Sequence, residues 1–235
     1  MKSSTRFLFS LLILLSAACG LTAQTIYVAT GSNGTAGTLY QVNSSNADLI
    51  SSVPITNASG GGNIGITGLA FNPVDGTLYG VTVRDTANGN TVSASLVTIN
   101  TTTGVATVIG SLGNGQAIGD IAFASNGTLY GWEARNPFSL ATISLTTGAV
   151  TTVGSSGSNN TTGGGLAIDP TTGKAYVSFT GATPGTTRGT LDQVNLGTGA
   201  ITVGPALSGA PNDFGGVQGN GSMNSLAFNS SGVLY

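Results

Sequence analysis

Eight side chains in this sequence could bind or react: Arg84, Asp85, Asp120, Trp132, Glu133, Arg135, Arg188 and Asp213. Trp132 is the only tryptophan and Glu133 the only glutamate, and Arg135 follows two positions later. An indole beside a carboxylate and a guanidinium suits sugar recognition. The flat ring stacks on the pyranose while the charged groups bond its hydroxyls. The competing reading packs Trp132 between sheets and leaves the charges solvated. No histidine occurs anywhere, which removes Ser-His-Asp and Cys-His catalysis and histidine-based metal sites. The single cysteine, Cys19, lies in the leader, so thiolate chemistry and iron–sulfur ligation are also absent from the rest of the chain. Gly-rich stretches at 60–65 and 163–165 lack the Gly-Lys-Ser/Thr of a phosphate loop. No cofactor, no metal and no catalytic residue is expected.

These side chains must be held by something, and a repeat supplies it. Gly68-Leu69-Ala70-Phe71 returns as Asp120-Ile121-Ala122-Phe123, Gly165-Leu166-Ala167-Ile168 and Ser225-Leu226-Ala227-Phe228. After a turn comes a second phrase: Leu78-Tyr79, Leu129-Tyr130, Ala175-Tyr176 and Leu234-Tyr235. The anchors Phe71, Phe123, Ile168 and Phe228 are 52, 45 and 60 residues apart. A period of roughly 40–50 residues with several short strands per unit marks a β-propeller. In the second unit, strand A is expected at 66–71, B at 77–83, C at 95–100 and D at 105–109. Asn72-Pro73-Val74-Asp75-Gly76 and Thr101–Gly104 are the turns between A and B and between C and D. On strand C, Leu96, Thr98 and Asn100 should face one neighbour, and Val97 and Ile99 the other. The alanines of the first phrase fit an axis where inner strands crowd together.

The expected fold is thus all-β, a propeller of four-stranded antiparallel blades. A parallel β-helix, the rival reading, has shorter coils and lacks the repeated hairpin chemistry. Residues 24–235 form the domain. Its blades lie at about 25–55 (partial), 66–110, 118–154, 165–204 and 223–235 (truncated). About four blades are present. Because Ser231–Tyr235 heads into a strand whose remainder does not follow, the chain is expected to be a fragment of a larger propeller.

Residues 1–23 read as a secretory signal. Lys2 and Arg6 precede an apolar run from Phe7 to Leu15, which is too short to span a bilayer, and Leu21-Thr22-Ala23 offers a cleavage site before Gln24. Ser16-Ala17-Ala18-Cys19 offers the alternative of a lipoprotein anchored through Cys19. Beyond residue 23 there are four basic and eight acidic residues, hence a net charge of −4. That balance argues against nucleic acid and anionic membrane surfaces, and no later segment spans a membrane. Export without disulfides suits a bacterial secreted or periplasmic protein. The long, irregular B–C and D–A connections emerge on one face and carry Arg84, Arg135 and Arg188. Asp85, Asp120 and Asp213 lie on that face, with Glu133 near it, so ligand contact is expected there.

The full pattern is Leu-Ala-Phe, a turn, Gly-x-Leu-Tyr-Gly, Leu-x-x-Ile-Asn, a turn, then Thr-Gly-x-x-Thr-x-Val/Ile-Gly. It covers residues 66–110 nearly throughout and most of 118–154 and 165–204. In this it resembles a bacterial secreted propeller-repeat family, related in pattern to the NHL, gluconolactonase-like and quinoprotein-like propellers. The resemblance implies the fold and says little about activity. Gluconolactonase-like enzymes hold a divalent metal near the axis with carboxylate and Asn ligands. This chain departs from that set, because no repeat position accumulates acids. The reading is a secreted, non-catalytic module that binds a glycan or an extracellular protein or matrix ligand. The alternative is a metal-assisted hydrolase or lactonase, or a quinone-cofactor enzyme, completed by further blades.

Overall fold

Runs of β-branched and aromatic residues, each closed by a Gly-, Asn- or Asp-containing turn, form strands throughout the described part of the chain. The structure, a computed structural model, describes residues 24–31, 37–59, 64–82, 94–113, 117–134, 138–157, 164–179, 190–205 and 225–235. The leader at 1–23 lies outside them, as do Arg84, Asp85, Arg135, Arg188 and Asp213. Four sheets, antiparallel in their blade strands, are arranged as a four-bladed β-propeller. The first holds β1 (Thr25–Ala29), β2 (Thr38–Asn43) and β3 (Leu49–Pro54). The second holds β5 (Ile66–Phe71), β6 (Leu78–Thr82), β7 (Ser95–Ile99) and β8 (Val105–Ser111). The third is β9 (Ile118–Phe123), β10 (Leu129–Glu133), β11 (Ser139–Ile143) and β12 (Val150–Ser155). The fourth is β13 (Leu166–Ile168), β14 (Ala175–Phe179), β15 (Thr190–Val194) and β16 (Ile201–Thr202).

Strands A of successive blades, β5, β9 and β13, pack on one another and line the axis. The hydrophobic core is sliced between blades. Leu39, Ile66, Leu78, Val97 and Ile99 fill the space between the first and second. Leu96, from the other face of β7, joins Tyr79, Ile121, Phe123 and Leu129 between the second and third. The alternation along β7 therefore sorts its side chains to opposite neighbours, as the period of two requires.

The two repeated phrases meet across these slices. Tyr27 of β1 lies edge-on to Phe71 of β5, ring centroids 5.1 Å apart, and Tyr79 lies edge-on to Phe123 at 5.3 Å. Tyr176 meets Phe228 at 5.8 Å. Tyr27, Tyr79 and Tyr176 thus pack on the aromatic of the following first phrase, a geometry aromatic quadrupoles favour, whereas Tyr130 has Ile168 at that place.

The glycines of the Thr-Gly…Gly motif do a related job at the outer edge. Gly104, Gly148 and Gly199 take φ of 73°, 75° and 74° in the C–D hairpins. A β-carbon on Gly148 would strike the Gly110 carbonyl, and one on Gly199 would strike the Gly154 carbonyl. Backbones of adjacent blades touch here, and only glycine leaves room. One pairing was absent from the sequence reading. β4 (Thr56–Asn57), expected within a connection, runs parallel to β8 and extends the second sheet to five strands.

Candidate functional site

The inner strands enclose an axial cavity of about 430 Å³, within the size range of small-ligand pockets. Its lining repeats with the sequence. Leu69, Ile121, Leu166 and Leu226 form one set, Ala70, Ala122, Ala167 and Ala227 a second, and Phe71, Phe123, Ile168 and Phe228 a third. The alanines therefore do more than relieve crowding, since larger side chains at these positions would fill the cavity. Pro73, Ser125, Pro170 and Ser230 come from the A–B turns, so the cavity opens on the face of those short turns. Gln24, Thr25, Ile26 and Tyr27 of the first blade complete the wall. None of the described lining side chains carries a charge.

The sequence reading placed ligand contact on the opposite face, that of the long connections. Of its eight candidates the structure describes Asp120, Trp132 and Glu133, and it buries all three. Trp132 is 0% exposed, packed with Phe138, Leu140, Leu166 and Val177 between the third and fourth blades. It is a core residue and offers no platform for a sugar, which corrects the stacking role expected of it. The physical reason is its place on β10, opposite Asp120 of β9, where side chains point into an inter-blade slice.

Glu133, 3% exposed, accepts a hydrogen bond from the Thr152 hydroxyl at 3.2 Å. Burial raises its carboxyl above the usual carboxylate range, and the Thr152 bond pulls the other way.

Asp120 is 1% exposed and stands where the other repeats have Gly68, Gly165 and Ser225. Its Oδ1 accepts the Ile121 N–H at 2.9 Å. Its Oδ2 accepts the Leu166 N–H at 3.0 Å and the Leu226 N–H at 3.4 Å. One carboxyl thus ties together the inner strands of three successive units. Small residues in the flanking units make the space, since a β-carbon on Gly68 would come 2.9 Å from Asp120 Oδ1. Burial pushes the Asp120 carboxyl well above its ordinary range, against the pull of the Leu166, Ile121 and Leu226 N–H bonds. Asp120 is thus a buried structural tie.

A further buried carboxyl escaped the sequence reading. Asp192 of β15 is 0% exposed, at the position of Val97 and Ala141. Its Oδ1 accepts the Gly204 N–H at 2.9 Å, and its Oδ2 has no hydrogen-bond partner among the described residues. No group of three or more His, Cys, Asp or Glu side chains that could hold a metal ion comes together among the described residues. Nor do those residues include a helix long and apolar enough to cross a membrane.

Fold and site together define a β-propeller with an uncharged, largely apolar axial cavity. Several solved structures are similar to it. One is a Bacteroides thetaiotaomicron protein of unknown function, with 15% identity and a TM-score of 0.41 over 78% of this chain and 48% of that one. Another is the Pseudomonas aeruginosa periplasmic gluconolactonase PpgL, with 14% identity and a TM-score of 0.45 over 77% of this chain and 55% of that one. A third is the Malassezia sympodialis allergen Mala s 1, with 17% identity and a TM-score of 0.47 over 87% and 65%. The chain therefore spans less than two thirds of each of these proteins. No protein-family model matches the sequence, and no curated protein matches it. Identities this low speak to fold alone, and the propeller assignment rests on the chain's own sheets.

Proposed function

We propose that this chain is a non-catalytic, extracytoplasmic binding module that seats an uncharged, largely apolar ligand in the axial cavity. The observation that supports this most directly is the cavity itself, about 430 Å³ and walled by the repeated Leu, Ala and Phe positions without a charged side chain. An uncharged apolar wall favours a ligand that gains by leaving water and needs few polar contacts. Asp120, a carboxyl near the axis among the described residues, has both oxygens engaged by backbone N–H groups, which suits a tie better than an acid or base. The basic, apolar leader and the lack of cysteine beyond it support export.

The test is a titration with an uncharged, environment-sensitive dye such as Nile red. Saturable binding at one site is expected. Ala227→Trp, which projects into the cavity from an exposed position, should weaken it at least about tenfold. Val74→Trp, on an exposed turn outside the lining, should leave it unchanged. Dye binding that ignores Ala227→Trp would overturn the cavity as the seat.

A further inference from the structure

Three backbone N–H groups converge on one side chain at the axis. The Ile121 N–H reaches Asp120 Oδ1 at 2.9 Å, and the Leu166 and Leu226 N–H groups reach Oδ2 at 3.0 and 3.4 Å. Ile121 belongs to β9, Leu166 to β13 and Leu226 to the fourth copy of the Leu-Ala-Phe phrase, so the donors come from three separate segments of the chain. Both carboxyl oxygens are served by main-chain donors. Fixed N–H groups aimed at the two oxygens of one carboxyl are how a backbone cradles an anion.

The donors are held without help from Asp120. Leu166 and Leu226 lie 46 and 106 residues further along the chain. Leu166 is fixed by the pairing of β13 with β14, and the segment of Leu226 by the two bonds that Ala227 exchanges with Tyr235 at 3.1 and 2.8 Å. What Asp120 adds is the acceptor. The equivalent positions, Gly68, Gly165 and Ser225, carry no carboxyl. Gly68 leaves the room, since a β-carbon there would come 2.8 Å from the Asp120 Cα and 2.9 Å from its Oδ1. The carboxyl thus sits among the amides as a tethered ligand. It also sits behind the cavity. Ile121, Leu166 and Leu226 line the cavity and Asp120 does not, because β9 runs from Asp120 through Ile121, Ala122 and Phe123 toward the turn where the cavity opens.

From this geometry we infer that the inner strands carry a binding site for a small carboxylate at the inner end of the cavity, and that Asp120 keeps it filled. Asp120 is thereby the residue that sets the preference of the cavity for uncharged ligands. It takes up the amides that the carboxylate of a ligand would need, and its own carboxyl stands where that charge would lie. An acidic ligand meets apolar walls and an acid already bound at their end, which is costly for an ionised group. This selectivity rests on the cavity reading above, whereas the amide site stands on its own hydrogen bonds. With Asp120 reduced to the glycine of the flanking units, the walls would hold an alkyl chain and the amides its carboxylate.

The test follows from the fragment removed. Asp120→Gly deletes a CH2–COO group, which acetate restores. Acetate should raise the urea midpoint of Asp120→Gly along a saturable curve, and pivalate, of equal charge and larger bulk, should not do so at the same ionic strength. The parent should respond to the two salts alike, because its site is occupied. Asp120→Ala with formate gives the same comparison should the glycine variant fail to fold. No gain from acetate or formate over pivalate would overturn the site. Displacement of Nile red then reads the selectivity. Octanol should compete for the parent at least about tenfold better than octanoate, and octanoate should gain at least about tenfold in Asp120→Gly. Unchanged competition by octanoate would overturn Asp120 as the selector. If the parent binds no dye, the cavity reading fails and the selectivity with it, while the acetate result still decides the amide site.

Discussion

Replacing Asp120 by alanine should destabilise the propeller by about 2 kcal/mol. The side chain accepts the Ile121 and Leu166 N–H groups at 2.9 and 3.0 Å, and a third, from Leu226, at 3.4 Å. A buried N–H left without an acceptor costs about 1–3 kcal/mol, so the two short bonds set a gross loss of about 2–6 kcal/mol. Removing a buried carboxyl also removes its own desolvation cost, which offsets part of that. Urea unfolding followed by tryptophan emission is the assay, because the only tryptophan, Trp132, is 0% exposed and shifts its emission when the core opens. The pH dependence gives a second reading. The folded-state pKa of Asp120 is raised above 3.8, so the folded state holds the proton more tightly than the unfolded one. Its contribution to stability is therefore fully present below about pH 3.8 and declines as pH rises toward the folded pKa, by at most about 1.4 kcal/mol per pH unit. Asp120→Asn should remove that decline, leaving the smaller one from Glu133, which is raised in the same direction. An alanine variant as stable as the parent at pH 7, or an asparagine variant with an unchanged pH slope, would refute the tie.

Gly148→Ala should cost more than Gly76→Ala. Both residues have positive φ, 75° and 72°, worth roughly 1–2 kcal/mol for an L-residue, but only at Gly148 would the new β-carbon also meet the Gly110 carbonyl. Equal midpoints in urea would deny the inter-blade backbone contact. A double-mutant cycle of Tyr79→Leu and Phe123→Leu should give a coupling of about 0.5–1.5 kcal/mol, while Tyr79 paired with the distant Val203→Ala should show none. Asp169 should titrate at about 2 by NMR, because it accepts from the hydroxyls of Thr172 and Thr171 and from the Thr171 N–H; Thr172→Ala should move it upward.

Much of the fold is legible in the chain because its determinants are local and repeated. Asn72, Asp75 and Gly76 form their turn through bonds two residues long: Val74 N–H to Asn72 at 3.0 Å and Thr77 N–H to Asp75 at 2.8 Å. Strand A falls at 66–71 as expected, and the sorting of Leu96 from Val97 and Ile99 follows from a period of two. The parallel pairing of β4 with β8 was not legible, because a two-residue strand carries no pattern and depends on where the next blade's edge lies. The site was the least legible part. Composition marked Trp132 as the one large flat ring, but its side of β10 and the blade packed on that side decide whether it meets solvent, and they bury it. The same holds for Glu133, whose partner Thr152 is two strands away.

By itself, then, the sequence determined the repeat unit, its strands and turns, the glycines of the hairpins and the absence of histidine chemistry. These follow from residue type and from spacing along one blade. Tertiary structure alone decided what lies between blades. It set the Tyr–Phe contacts, the bond network that makes Asp120 a tie, the Asp192 Oδ2 that has no partner among the described residues, and the cavity on the face of the short turns. The reason is that blades meet through residues roughly one repeat apart. Which of two alternating faces meets a neighbour, and how much space remains at the axis, depend on how the sheets stack and not on any stretch of sequence read alone.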